Sequence, residues 1–323
     1  MLLRILVLAA SVLADCLVPC QLVAAAEGGV PRIVIILPDS PSFDQALLDQ
    51  LTAKGLVEGK SIKIDWRSYK GWDAAMDSMI MDLVRSSPDV IVVHGTPATR
   101  AVLRQTKTIP VVFDVGDPLA TGLLSSLSHP DRNATGVSTT SVEGSAKLFD
   151  LITQLVPHTR RIFVVRNSLN PLAVKMIEHI KIVAAATQVR LSVVDAKNAD
   201  ELVSALTRIK KRHGEAILIP TDLVFRTEKA RITRAVLKTG LPAVYQDLSI
   251  AEAGGLISYG PDGAEIGQIM ADLVERILRG AKPAELPVEQ VTKLKLVVNL
   301  KTAKEMGIVI PQSIMTRADE LIR

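Results

Sequence analysis

The chain has 323 residues, of which 48% are hydrophobic and 22% are charged, and this balance is typical of a folded globular protein rather than a disordered one. A chain of this length accommodates one large domain or two of ordinary size, and we expect two, each with its own core. Its 38 basic and 34 acidic side chains leave a net charge of only +4. This surplus is spread along the chain, so nucleic acid is not an expected partner.

The first 26 residues predict an export signal. Arg4 precedes an apolar run over residues 5–14, and small residues end the segment at 24–26, as in a secretory signal peptide with its cleavage site. Asp15 interrupts the apolar run, which is therefore too short and too polar for a membrane span. We expect this segment to be removed after export.

Both cysteines, Cys16 and Cys20, lie inside this segment. Cleavage after residue 26 would leave a chain without thiols, which suits an oxidising compartment. A lipoprotein signal has a small residue before its cysteine, whereas Asp15 and Pro19 stand at these positions. We therefore do not expect lipid anchoring.

Short, nearly all-apolar runs alternate with helical patterns in two successive series. The first series of runs covers residues 33–37, 90–93 and 111–113, and the second covers 162–165, 216–219, 243–245 and 256–259. Runs this short and this rich in Val and Ile are typical of parallel strands buried on both faces. With right-handed helical crossovers between the strands, the sequence predicts an α/β fold of two doubly wound parallel-sheet lobes joined by a hinge.

The same pattern predicts where the chain passes between the lobes. Residues 133–140 are polar and extended and suit a first crossing, and a second is expected near residues 291–299. We expect the run 255–259 to return to the first lobe, where a helix over 264–279 packs. The N-terminal lobe is assigned to residues 32–140 and about 262–292, and the C-terminal lobe to residues 141–261 and about 293–323.

Ligands of doubly wound folds bind beyond the carboxyl ends of the strands, and several polar residues of the first lobe fall there. Asp39 and Ser40 could hold an amine and a hydroxyl or carboxylate, although Asp39 could equally cap the next helix. Thr96 precedes exposed helix N-terminal amides that favour an anion such as a carboxylate, or it is a simple cap. Of Asp114 and Asp117, one could meet a ligand ammonium while the other only fixes the turn.

The hinge and the second lobe supply further candidates for ligand binding. Thr139 lies on the first crossing, and could line the cleft or only satisfy hinge backbone. Asn167 and Asp222 follow strands of the second series. Tyr245 and Tyr259 stand at strand ends, where they could stack on a ligand or be core rings with satisfied hydroxyls.

Signatures of common enzymes are missing from the sequence. There is no Gly-x-Ser-x-Gly motif, no cysteine after residue 20, and neither a dinucleotide-binding nor a phosphate-binding glycine motif after a strand. The five histidines lack metal-ligand spacing, and only His94 stands where the cleft is expected. We expect no catalytic residues, no metal and no cofactor.

Three C-terminal segments resemble the signature of a known family: residues 286–290 (LPVEQ), 296–304 (LVVNLKTAK) and 317–320 (RADE). Five earlier segments resemble motifs of the same family: residues 55–60 (GLVEGK), 95–98 (GTPA), 116–118 (GDP), 133–137 (NATGV) and 252–260 (EAGGLISYG). The family consists of the substrate-binding proteins of ABC transporters with the type I periplasmic-binding fold. The branch is the one related to tryptophan- and tyrosine-binding lipoproteins. The resemblance implies delivery of a small solute to an ABC permease of the inner membrane. Together with the export signal, we expect a periplasmic protein, and we expect it to be a monomer.

We therefore expect an exported solute receptor whose lobes close around a ligand that contacts both. Acidic and hydroxyl groups beside a helix N-terminus suit a zwitterion, so an amino acid or related compound, which could be aromatic, is the expected solute. Two alternatives are a secreted α/β enzyme, which would turn its ligand over, and a ligand-sensing module, which would associate with a membrane regulator.

Overall fold

The computed structural model describes residues 29–38, 44–69, 74–130, 132–139 and 141–323. The predicted export segment, and with it both cysteines, lies outside the described residues, as do Asp39, Ser40 and Thr140. The first half of the chain forms, in order, β1 (Arg32–Leu37), α1 (Gln45–Ala53), β2 (Lys63–Ser68), α2 (Ala74–Arg85), β3 (Val90–His94), α3 (Thr96–Gln105), β4 (Val111–Val115) and β5 (Ala134–Ser138).

The rest of the chain begins with α4 (Ser141–Leu155), β6 (Arg161–Arg166), α5 (Pro171–Ala185), β7 (Arg190–Asp195), α6 (Ala199–Thr207), β8 (Glu215–Ile219), α7 (Leu223–Arg226), α8 (Lys229–Thr239) and β9 (Ala243–Tyr245). It ends with α9 (Ser249–Glu252), β10 (Ile257–Pro261), α10 (Gly263–Leu278), β11 (Glu289–Gln290), β12 (Leu294–Asn299), α11 (Leu300–Met306), α12 (Gln312–Met315) and β13 (Glu320–Ile322). A 3-10 helix, Pro283–Glu285, precedes β11.

The first sheet has the strand order β11-β5-β4-β3-β1-β2, and its strand pairs are parallel. Its apolar strands are covered on both faces, because successive side chains point to opposite sides. On one face Ile33 and Ile35 pack with α1 and α10, and on the other Val34 and Ile36 pack with α2 and α3. This two-sided burial explains why β1 and β3 are continuous apolar runs in the sequence.

Helix α10 belongs to the first sheet although it lies late in the chain. A Cβ atom on Gly267 would stand 2.7 Å from the backbone carbon of Ala46 in α1. Only glycine permits this close approach of the two helices. The prediction that the helix over 264–279 packs in the first lobe agrees with these contacts.

The second sheet has the order β13-β12-β10-β9-β8-β6-β7. All its pairs are parallel except β10 with β12, which is antiparallel. Helices α4 and α5 cover one face with Leu148 and Ile177, and α6 and α8 cover the other with Leu202 and Ile232. The predicted fold class, α/β with two mostly parallel sheets and alternating helices, is confirmed.

Two expectations about the crossings need correction. The run 255–259 does not join the first sheet, because Ile257 and Ser258 in β10 pair with Val244 and Tyr245 of β9. Residues 134–138 are not a free crossing but a buried strand of the first sheet. The chain passes between the sheets directly after β5, again between β10 and α10, and a third time between β11 and β12. None of the described helices is both long and apolar enough to span a membrane.

Candidate ligand-binding site between the two sheets

A cavity of about 80 Å³ lies between the two sheets, which is room for several water molecules. The first sheet and its connections contribute Gly95, Thr96, Asp114, Val115, Gly116 and Thr139 to its wall. The second contributes Ser141, Asn170, Leu172, Thr221, Leu223 and Arg226, and the return segment adds Pro261 and Ile266. These residues sit at strand ends and helix N-termini, the edge of a doubly wound fold where ligands bind.

Thr96 brings an unpaired hydroxyl to this cavity. It is the first residue of α3, which follows Gly95, a residue with a φ of 87° that glycine adopts without strain. The Thr96 hydroxyl oxygen is buried and has no hydrogen-bond partner within the described residues. A buried polar group without a partner is costly, and the amides of the first helical turn also lack intrahelical partners. The N-terminus of α3 is therefore suited to an anionic ligand group.

Asp114 lies beside Thr96 and is held by a chain of charged side chains. The His94 Nδ1 atom is 3.2 Å from Asp114 Oδ2, and the His94 Nε2 atom is 3.0 Å from Asp44 Oδ2. Burial lowers the pKa of His94, but the two carboxylates outweigh it and raise that pKa to about 10. His94 is thus a cation at neutral pH, bonded to one carboxylate that lines the cavity and one that does not.

On the opposite side, Asn170 and Asp222 fix the N-termini of two helices. Asn170 accepts a hydrogen bond from the Leu172 N–H at 3.0 Å and donates one to Asp222 at 2.9 Å. Asp222 also accepts from the Val224 N–H at 2.9 Å. Burial raises the pKa of the Asp222 carboxyl, while these hydrogen bonds oppose the rise. This arrangement holds α5 and α7 in a fixed position at the cavity wall.

Two glycines of the first sheet contact two leucines of the second. A Cβ atom on Gly116 would lie 2.2 Å from Leu172 Cδ2, and a Cβ atom on Gly95 would lie 2.8 Å from Leu223 Cδ1. Real Cβ atoms do not approach other atoms this closely, since interiors are close-packed. The side chains of α5 and α7 therefore rest on the bare backbone that follows β3 and β4.

A larger cavity of about 450 Å³ lies next to the first and is also shared by the two sheets. Ser68 and Tyr69 line it from the first sheet, and Thr227 and Arg231 line it from the second. The Tyr69 hydroxyl donates to the His94 carbonyl at 3.2 Å, so the tyrosine stands between the two cavities. Burial raises the pKa of Tyr69 well above its ordinary value, and Asp222 and Asp114 add to this rise.

A model of the family described as ABC transporter substrate binding protein matches residues 34–322. The chain belongs to this family. A tyrosine-binding protein of Clostridioides difficile (strain R20291) is 23% identical over 275 residues, which are 84% of this chain and 79% of the relative.

Solved structures agree with this membership. A conserved domain protein from Vibrio cholerae has 29% identity and a TM-score of 0.82, over 91% of this chain and all of that chain. A domain from Streptococcus pneumoniae, solved in complex with L-Trp, has 25% identity and a TM-score of 0.79, over 90% of this chain and all of that one. The resemblance inferred from the sequence is therefore confirmed at the level of the family.

Three of the predicted ligand-binding residues of this substrate-binding protein line the small cavity: Thr96, Asp114 and Thr139. Thr139 is tied to the crossing, because its hydroxyl is 2.7 Å from that of Ser141 and its N–H donates to Val115. Asp39 and Ser40 lie outside the described residues.

The other predicted residues do not reach the wall of this cavity. Asp117 accepts a hydrogen bond from the Ala120 N–H at 2.8 Å and so fixes the turn, which is one of the two roles considered from the sequence. Asn167 accepts from a neighbouring backbone N–H, and Asp222 stands behind Asn170. Tyr245 is buried in the core of the second sheet.

Tyr259 is half-buried on β10 and packs against the other core of the second sheet. For Tyr245 and Tyr259 the described structure thus places the rings in cores rather than at the cavity.

Sequence reasoning missed Asp44, Ser141, Leu172, Leu223 and Arg226. The Arg226 Nε atom is 3.3 Å from Asp247 Oδ2. Because Arg226 follows a predicted strand, its place in the sequence could have indicated a cation in the cleft. The two leucines carried no such signal, because their role depends on contacts between sheets. The described residues contain no group of three or more His, Cys, Asp or Glu side chains arranged to hold a metal ion.

Proposed function

We propose that this substrate-binding protein captures an α-amino acid between its two lobes. The observation that carries the proposal is the pairing, in one cavity wall, of the unpartnered Thr96 hydroxyl at the N-terminus of α3 with the carboxylate of Asp114. A helix N-terminus favours a carboxylate, and an aspartate favours an ammonium group. The two groups of a zwitterion would thus be matched side by side.

An aromatic amino acid is the class that we favour. Support comes from the tyrosine-binding relative and from the neighbour solved with L-Trp. The small cavity suits only the polar end of such a ligand, and its ring would need more room. The adjoining 450 Å³ cavity, which Tyr69 helps to line, offers that room.

Closure of the lobes would be the output of binding. In this proposal, residues 32–140 and about 262–292 form one lobe, residues 141–261 and about 293–323 form the other, and the three crossings form the hinge. A ligand that touches both lobes stabilises the closed form by its differential affinity for that form. A permease in the membrane would then recognise the closed form and import the solute, and the protein itself would bind without catalysis.

Export would place the protein where it meets its solute. Proteins of this family act outside the cytoplasm in general, and residues 1–26 have the pattern of a cleaved signal. We therefore place the mature protein in the periplasm as a monomer without a lipid anchor.

Titration calorimetry on residues 27–323 tests the proposal. We expect saturable binding of L-tryptophan or L-tyrosine and no heat of binding with D-xylose or D-glucose. Recovery of the unchanged amino acid after prolonged incubation would separate a receptor from an enzyme. Binding of a sugar without binding of any amino acid would contradict the proposal.

A further inference from the structure

Asp44, His94 and Asp114 form a buried row in which the imidazole lies between two carboxylates. The proposed ligand contacts involve only Asp114 of this row. His94 is 2% exposed and lies between Asp44 and Asp114, whose side chains are 8% and 17% exposed. Asp114 reaches the cavity, but neither His94 nor Asp44 lines it. The His94 side chain therefore meets the cavity wall through the contact with Asp114.

We propose that His94 is a positioning residue that keeps Asp114 ionised and oriented, so that the site selects ligands with a protonated amine. This inference rests on the proposed function and adds to it the residue that sets the charge of the amine subsite. One oxygen of Asp114, Oδ2, is bound to His94. The carboxylate can then present its remaining lone pairs to the cavity.

The charge balance explains why the cation is needed. Asp44 and Asp114 approach opposite nitrogens of one imidazole ring, so without a cation two largely buried carboxylates would lack a counter-charge. Removing one member of a buried charged group leaves the other charges uncompensated, which is costly, so loss of the cation favours the neutral form of one carboxyl group. With His94 protonated, the row carries one net negative charge, which favours an ammonium ligand over a neutral or anionic one.

Other titratable groups near the row do not replace His94. Tyr69 donates its hydroxyl hydrogen to the His94 carbonyl and stays protonated, because burial raises its pKa. On the facing lobe, Arg226 is engaged by Asp247, and Asp222 is engaged by Asn170. The His94 ring is held in place against Asp114 by its second contact, with Asp44.

The test compares L-tryptophan with indole-3-propionate, which lacks the amine, by calorimetry between pH 5.5 and 8.5. For the wild type we expect an affinity for L-tryptophan that is flat across this range and at least about 100-fold above that for the analogue. In H94Q, protonation of one carboxylate should weaken L-tryptophan binding about tenfold or more at pH 5.5. Most of that loss should be recovered at pH 8.5, while the analogue binds no worse.

The double variant D44N/H94Q is the matched control. It removes the second carboxylate together with the cation, so Asp114 no longer has a like-charged neighbour, and we expect the flat pH profile and the amine preference to return. A role of His94 in packing alone would leave the double variant as weak as H94Q. If H94Q does not fold, the double variant alone still tests the role of His94. Loss of L-tryptophan binding in the folded double variant would overturn the proposal.

The outcomes separate the two levels of the proposal. A wild-type protein that binds no amino acid would overturn the proposed function, and this inference with it. A wild-type protein that binds L-tryptophan, together with an H94Q variant of unchanged affinity and pH profile, would overturn only the role of His94. A D114N variant should lose the preference for the amine at every pH, and its retention would also contradict the inference.

Discussion

Substitution of Gly116 by alanine should impair closure of the lobes without unfolding either one. The new Cβ atom would lie 2.2, 2.8 and 3.0 Å from three side-chain atoms of Leu172, which belongs to α5 on the side of the second sheet. Gly116 is not among the glycines with positive φ, so alanine fits the backbone conformation at this position. Overpacking of this kind costs about 1–3 kcal/mol, and under the proposed closure it falls on the form in which Gly116 meets Leu172.

In the proposed function closure is coupled to binding, so that cost would lower the ligand affinity. We expect G116A to bind L-tryptophan about 5- to 150-fold more weakly, since each 1.4 kcal/mol is about tenfold in the dissociation constant. Calorimetry gives the affinity, and thermal unfolding without ligand should stay close to that of the wild type.

Two further variants make the result specific for G116A. Replacing Leu172 by alanine in the G116A background removes the clashing atoms and should restore much of the affinity. Gly263→Ala is the matched control, because a Cβ atom there meets nothing within 4 Å. If G116A binds as tightly as the wild type, or if the second substitution restores nothing, then the contact between Gly116 and Leu172 does not govern closure.

Three other variants test single groups. Thr96→Val should leave the free energy of unfolding unchanged or raise it by about 1 kcal/mol, because the buried hydroxyl has no partner within the described residues. Calorimetry should show that the variant binds L-tryptophan more weakly than the wild type. Equal affinity would remove Thr96 from the site. Tyr245→Phe should likewise cost no stability, since its hydroxyl is also unpaired there, and unlike Thr96→Val it should leave affinity unchanged; weaker binding would return Tyr245 to the site. The third test concerns the pH dependence of stability. The pKa of His94 is raised from 6.5 to about 10 in the folded state. The contribution of His94 to the free energy of unfolding is therefore complete below pH 6.5 and is lost as the pH rises towards 10. Chemical denaturation should show a loss of roughly 3 kcal/mol between pH 6 and pH 9. A slope of the same size in the D44N/H94Q variant would assign the loss to other groups.

Local patterns in the sequence were enough to predict most of the secondary structure. Strands such as β1 and β3 are buried on both faces, so their apolar runs are unbroken and their ends are marked by polar loops. Helix α10 was predicted within one residue of its bounds. These features depend on residues that are close in sequence.

Which sheet a strand joins is not a local property, and the prediction from the sequence that residues 255–259 join the first lobe was wrong. The run that forms β10 is as short and apolar as a strand of either sheet, and its place beside β9 is set by pairing with residues more than ten positions away. The apolar residues of β5 were overlooked for a related reason, because Thr135 and Ser138 made the segment look exposed although both are buried.

The candidate site divides in the same way. Thr96 and Asp114 were predicted because strand ends and helix starts are visible in the sequence. The row behind Asp114 was not predicted, because Asp44 lies 50 positions before His94 and meets it only through the packing of α1 on the first sheet. Tyr245 lies at the carboxyl end of a strand as Asp114 does, but its ring points into a core. Sequence position alone does not distinguish these directions.

A distance measurement between the two lobes tests the central claim most directly. The chain has no cysteine after residue 20, so residues 27–323 with Leu119→Cys and Leu169→Cys can carry two spin labels at exposed positions that follow β4 and β6. With saturating L-tryptophan, pulsed electron resonance should show a single distribution at a shorter distance than without ligand. Identical distributions in a sample that calorimetry shows to be saturated would contradict closure of two lobes around the ligand.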